Sequence, residues 1–345
     1  MGATAPQRVV SLLHVHAARH HAVQGMAYGY VLALAAWKKD RVSLLDWGGG
    51  LGHYNLISQA LLPLVEINIA DIRERVTVDV VDVRDEQRMG QLIRRQDYLF
   101  NLAGQTSHID SMRFPQVDME MNCRAQLSVL EACRQHNPEV RIVFASTRQL
   151  YGRPDYLPVD EKHPVRPVDI NGVNKMAGES YHLLYHRVYG LRTCALRLTN
   201  AIGPRMRVKD ARQTFLGLWV RRLLQGAPID VWDGEQRRDF TYVGDAVEAF
   251  LLAGASDKAV GRIFNIGGDA PISLRCLADL LIELNKGGEY VLCCYPPEYK
   301  RIDIGDYHSD FSLIRATLGW EPRISLREGL ARTLEFYREH LEHYL

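Results

Sequence analysis

The chain has 345 residues, enough to bury a large core as one large α/β domain or two smaller ones. Its 42 Lys+Arg against 41 Asp+Glu are balanced, which argues against a nucleic-acid footprint and against an anionic membrane partner. The cysteines Cys123, Cys133, Cys194, Cys276, Cys293 and Cys294 show no C-x-x-C pairing or zinc spacing, so they read as reduced side chains and no metal site is expected. The longest apolar run, 26–37, is too short to span a bilayer, and no charged-then-apolar leader opens the chain. The expected compartment is the cytoplasm.

In chain order, His14, His16, His20 and His21 precede an apolar stretch, 22–37, that suits a helix. With no carboxylate or cysteine among them, these histidines suit a solvated helix entry better than metal ligation. Residues 41–46 read as a strand, followed by Trp47-Gly48-Gly49-Gly50-Leu51-Gly52 and an apolar helix to about residue 62. Strand, glycine loop, helix is the order that turns backbone N–H groups and a helix N-terminus towards a phosphate. From Arg75 onward, β-rich runs at 76–83, 98–103, 141–146, 192–199 and 262–266 alternate with helical periodicity, as at 117–136 and 175–189. This alternation predicts an α/β fold, a Rossmann-like doubly wound parallel sheet with helices on both faces. Turn signals then multiply (Gly203-Pro204, Gly226, Gly234, Gly267-Gly268, Gly287-Gly288, Pro296-Pro297), which predicts a smaller C-terminal substrate-binding lobe over the carboxyl edge of the sheet.

Seven motifs between residues 68 and 335 occur in one order. Asp82-Val83 ends a strand; Asn101-Leu102-Ala103-Gly104 forms a turn; Asn122 opens an N-x6-V-L-E-A-C helix. Ser146-Thr147 precede Tyr151-Gly152, and Leu196-Arg197-Leu198-Thr199-Asn200 runs on to Gly203-Pro204-Arg205. Arg238-Asp239-Phe240-Thr241-Tyr242-Val243 is followed by Asp245, and Leu318-Gly319-Trp320-Glu321-Pro322 comes last. Together they resemble the extended short-chain dehydrogenases that act on nucleotide sugars, the NAD-dependent epimerase/dehydratase family. The resemblance implies an NAD cofactor held by Asp82, Val83, Asn101, Ala103, Gly104 and Lys175. It also implies a nucleotide-sugar substrate held by Asn200, Arg205 and Arg238, with Arg238 forking onto the diphosphate. Thr147 would bond the reacting hydroxyl, Lys175 the nicotinamide ribose, and the helices 117–136 and 175–189 would pair with a second copy as a homodimer. The division implied is an atypical segment 1–67, an NAD-binding part 68–200 and a mainly substrate-binding part 201–345.

Residues 24–66 resemble something else: Leu44-Leu45-Asp46-Trp47-Gly48-Gly49-Gly50-Leu51-Gly52 is similar to the first motif of class I S-adenosylmethionine-dependent methyltransferases. On that reading a methyltransferase front is joined to a dehydrogenase without its own opening strand. The dehydrogenase pattern G-x-x-G-x-x-G fits here only as Gly49, Gly52 and then Asn55, with Gly50 between. Two threadings are considered. One makes 42–46 the first strand, with Asp71 as the ribose-binding acid, though a strand ending there leaves too short a crossover to 76–83. The other makes 8–13 the first strand, 22–37 its helix and 42–46 the second strand with Asp46 on the ribose, but puts histidines rather than glycines in the phosphate turn, so the glycine-loop threading is preferred.

The second departure concerns the base. The family's Y-x-x-x-K motif stands here as Asn171-Gly172-Val173-Asn174-Lys175, and an amide cannot act as general base. Asn171 then suits an N-cap of the following helix. Arg148 and Gln149 follow Thr147 where dehydratases carry acid and base carboxyls, so an epimerase is expected rather than a dehydratase. The alternatives are a catalytically impaired nucleotide-sugar- or NAD-binding protein and, third, a methyltransferase fragment.

Overall fold

In a computed structural model of the protein, residues 10–15, 42–47, 80–82, 85–211 and 214–345 are described, the first two stretches by their backbone alone. Gly49, Gly50, Gly52, Asp71 and Val83 lie outside them, as do the stretch 22–37 and His16, His20 and His21, whereas His14 falls within β1 (Val10–Val15).

Among the described residues the central sheet has seven strands: β1 (Val10–Val15), β2 (Val42–Trp47), β3 (Val80–Val81), β4 (Tyr98–Asn101), β5 (Arg141–Thr147), β6 (Arg192–Leu198) and β7 (Ile263–Asn265). Their spatial order is β7-β6-β5-β4-β2-β1-β3, with every neighbouring pair parallel. Doubly wound sheets place the opening strand of the nucleotide-binding half beside the fourth strand, and the crevice at that reversal holds the ligand. Here β2 takes that place, with Trp47 opposite Asn101. The first threading is therefore the one adopted for β2. Asp71, the ribose-binding acid of that threading, lies outside the described residues, and β1 fills the position between β2 and β3. A strand at 8–13 does form, shifted to Val10–Val15, but it lies one place outboard of the switch point.

Alternation along β4 and β5 sends successive side chains to opposite faces. Phe100, Val143 and Ala145 join Leu196, Phe250, Phe264 and Trp320 in one core cluster, while Leu99 and Ile142 join Val129, Leu130 and Tyr185 in the other. A third cluster, including Trp219, Leu223, Val231, Leu277, Leu281, Leu330 and Tyr337, forms the C-terminal lobe. The lobe is tied back to the sheet by Asp245. Its carbonyl accepts the Trp320 indole N–H at 2.8 Å, and its carboxylate accepts the backbone N–H of Arg323 and Ile324. Two of the ordered motifs thus meet as a structural joint. Among the described residues no helix is long and apolar enough to cross a membrane, and no cluster of side chains could hold a metal ion.

Candidate active site

The carboxyl ends of β4 and β5 deliver two turns, and one long helix closes over them. That helix, Ile170–Tyr189, starts at Asp169, whose carboxylate accepts the Gly172 N–H at 2.6 Å, and ends at Gly190 in the left-handed conformation. Its buried positions, among them Asn171, Asn174, Lys175, Glu179 and His182, recur every three or four residues and face the sheet. Asn171 is therefore not the N-cap, which is a correction: it lies one residue inside the first turn. Its amide N–H groups are spent on the Gln105 carbonyl at 2.7 Å and the Asp118 carboxylate at 3.0 Å, and Asn174 takes the other oxygen of Asp118.

Lys175 lies across the turn after β4. A Cβ on Gly104 would stand 2.5 Å from the Asn122 Oδ1 and 2.7 Å from the Lys175 Nζ, so only glycine permits this approach. The helix carrying Asn122 is not uniform, because a π turn at Glu120–Arg124 interrupts it, and Asn122 donates from there to the Gln105 carbonyl. Nζ donates to the Ala145 carbonyl at 3.1 Å. Burial pulls the lysine down to about 8, opposed in part by Asp118. Asn101 is wholly buried and donates to Gln126 at 2.6 Å.

These groups border a cavity of about 360 Å³. Thr147, Asn171 and Lys175 line one side, together with Leu102, His108, Arg148 and Gln149; Asn200, Trp232, Arg238, Tyr295 and Tyr299 from the lobe line the other. Arg205 is not among the lining residues. It is buried in the lobe with its guanidinium 5.4 Å from the Phe336 ring centroid. Asn101, Ala103 and Gly104 form the turn behind the wall rather than the wall itself, and Asp82 immediately follows β3. Arg238 lines the cavity already engaged, bonded to Asp303 at 2.9 Å and to the Gly305 carbonyl.

One ionisable side chain was not foreseen. His108 lines the cavity with Nδ1 3.0 Å from the Asp169 carboxylate, and among the described residues nothing bonds its Nε2. Asp169 also accepts the Gln149 amide at 2.7 Å, so one carboxylate links the turn after Thr147, the helix cap and the imidazole. Its pKa is lowered: burial alone would raise it, and contact with His108, Gly172 and Gln149 outweighs that. The available sequence signal was the position of His108, four residues past the Asn101–Gly104 turn at the carboxyl edge.

NAD fits what is present. Nζ of Lys175 uses one of its three N–H groups on Ala145 and is bonded to nothing else among the described residues, leaving donors at the cavity wall for ribose hydroxyls.

Residues 63–267 match the family model for the NAD dependent epimerase/dehydratase family. A putative UDP-glucose 4-epimerase of Methanocaldococcus jannaschii is 31% identical over 281 residues, spanning 80% of this chain and 85% of that one. Among solved structures, a UDP-glucose 4-epimerase of Thermotoga maritima with UDP-glucose superposes at a TM-score of 0.78 and 26% identity, over 96% of this chain and 99% of its own. A Thermus thermophilus UDP-glucose 4-epimerase in complex with NAD does so at 0.75 and 25%, over 95% and 99%. These matches give the methyltransferase reading of 24–66 no support. The fold they share spans nearly the whole chain, and β2 is hydrogen-bonded beside β4 as part of the same sheet rather than fused onto it. A parallel sheet with its switch point between β2 and β4, a lysine laid over the turn after β4 and these relatives lead to one conclusion: the chain belongs to the NAD-dependent epimerase/dehydratase family.

Proposed function

We propose that the protein is an NAD-dependent 4-epimerase of a nucleotide sugar, acting as a cytoplasmic homodimer, with 68–200 mainly holding the cofactor and 201–345 mainly holding the sugar nucleotide. The observation that carries this reading is the convergence of Thr147, Lys175 and the His108–Asp169 pair on one cavity whose far wall is the aromatic and basic face of the lobe. When bound, NAD would supply reversible hydride transfer at the sugar carbon. The protein's part is binding, orientation and proton transfer. Thr147 bonds the sugar hydroxyl, and Lys175 bonds the ribose. Asn171 cannot take the hydroxyl proton, and its amide is committed to holding Gln105 and Asp118 in place. His108 is the group placed to do so: its Nδ1 lies 3.0 Å from the Asp169 carboxylate, and its Nε2, bonded to nothing among the described residues, accepts the hydroxyl proton and later gives it back. Gln149 donates an amide to Asp169 and offers no carboxyl for elimination, which favours epimerisation over dehydration. Asn200 and Arg238 supply polar contacts to the nucleotide end, and Trp232 with Tyr299, ring centroids 5.5 Å apart, offers an aromatic face to a base.

The homodimer is supported by apolar side chains left on the outside of two neighbouring helical segments. They are Phe114 (60% exposed), Val117 and Met119 on one, and Val173, Leu184 and Val188 (59% exposed) on the other. The six cysteines are all free, as suits a reducing compartment. A second reading, a binding protein without turnover, is favoured by Asn171 alone. Incubating the NAD-loaded protein with UDP- and dTDP-linked hexoses separates the two. Appearance of a C4 epimer supports the enzyme, and binding without any epimer supports the alternative.

A further inference from the structure

Arg148 stands directly after Thr147 at the carboxyl end of β5 and lines the cavity. Its Nε is enclosed without a hydrogen-bond partner, and no hydrogen bond or ion pair among the described residues reaches its guanidinium. What it touches is a ring face, that of Tyr307, with 5.4 Å to the centroid. The neighbouring carboxylates are already committed. Asp303 accepts from Arg238, Gln236 and the Gly305 N–H, and Asp239 accepts from Thr199 and the Ser309 N–H. Burial pulls Arg148 down to about 10, and the Arg238 charge beside it adds to the penalty. Arg197 on the adjacent strand makes the contrast. It is more deeply buried, yet it forks onto Glu179 at 2.5 Å and donates to Tyr151, as a structural arginine does. A half-buried guanidinium with its Nε enclosed, without a partner among the described residues and opening onto the cavity, suits an anion brought by a ligand.

We propose that Arg148 is the receptor for a carboxylate carried by the sugar ring, so that the preferred substrate is a nucleotide-linked uronic acid rather than a neutral hexose. The planar fork of the guanidinium matches a carboxylate bidentately. Its position next to Thr147 puts it at the reacting sugar, whereas Arg238 enters from the lobe. The inference rests on the nucleotide-sugar reading above.

The test compares UDP-glucuronate, UDP-glucose and UDP by calorimetry on the NAD-loaded protein, wild type and Arg148→Gln, with the dTDP-linked compounds run in parallel. The wild type is expected to bind the uronate roughly 10- to 100-fold more tightly than the hexose, and Arg148→Gln to remove that preference. Affinity for UDP should stay unchanged, and Arg148→Lys should keep part of the preference. The melting temperature of Arg148→Gln should equal or exceed that of wild type, because an unpaired buried charge is removed; a purely structural arginine would give a lower one. Equal loss for uronate, hexose and UDP would assign Arg148 to the diphosphate and overturn the inference while leaving the nucleotide-sugar reading intact. No binding of any nucleotide or nucleotide sugar would overturn both.

Discussion

Asn171 holds the Gln105 turn and Asp118 with its amide, and the proposed mechanism therefore assigns the proton to His108. His108→Asn is therefore expected to lower turnover by about 10²–10⁴-fold while leaving nucleotide-sugar affinity near wild type. Asp169→Asn keeps an N-cap of comparable strength, so its melting temperature should barely move while turnover still drops. Full turnover in His108→Asn would remove the histidine from the mechanism. Lys175 makes a pH prediction with a definite sign. Its ammonium, pulled down to about 8 by burial, is present below that pH and is lost as the pH rises through it. NAD affinity should fall between about pH 7 and 9, and Lys175→Met should be weak throughout, without that limb. A flat profile in the wild type would contradict the ribose contact. At this scale Thr147 and Lys175 were legible because their neighbours in the chain repeat a family pattern. His108 was not, since its partner Asp169 lies far along the chain and only folding brings the two within 3.0 Å.

The helix Ile170–Tyr189 inverts the usual arrangement. Its inward stripe is polar and charged, while Val173, Leu184 and Val188 point outward. Apolar periodicity therefore places its start at 175, and only the cap geometry at Asp169 sets it at 170. The π turn at Glu120–Arg124 likewise leaves no mark in composition. Asn171 and Lys175 on the inward face line the cavity, while Val173, Leu184 and Val188 on the outward face are exposed. Val188→Glu should dissociate the proposed dimer, because a C₂ interface would place the new charge in the contact twice. Light scattering at micromolar concentration reads the result, and a wild-type monomer would refute the assembly. The inward stripe carries its own energetic risk. Arg197 and Glu179 are both almost fully buried, and Ser146 donates to the same carboxylate at 2.6 Å. Glu179→Ala leaves that arginine uncompensated and should cost ~3–5 kcal/mol in denaturant unfolding. A loss below about 1 kcal/mol would mean that solvent reaches the pair.

Across the whole molecule, the alternation of strands and helices after Arg75 was enough to name the fold, because each strand buried on both faces reads as a short apolar run. The opening segment was not legible in the same way. Its glycine loop invites a foreign resemblance, and the spatial order β2-β1-β3 departs from chain order, which no local pattern encodes. Pairing of Trp47 with Asn101 sets the carboxyl end of β2 at the switch point. The central claim, reversible hydride chemistry at a sugar carbon, is tested most directly by proton NMR of the NAD-loaded protein with UDP-glucose and UDP-glucuronate in heavy water. The account predicts growth of the C4 epimer with its C4 hydrogen retained, and no growth once NAD is stripped. Deuterium entering at C4, or no epimer from any nucleotide sugar with NAD demonstrably bound, would contradict it.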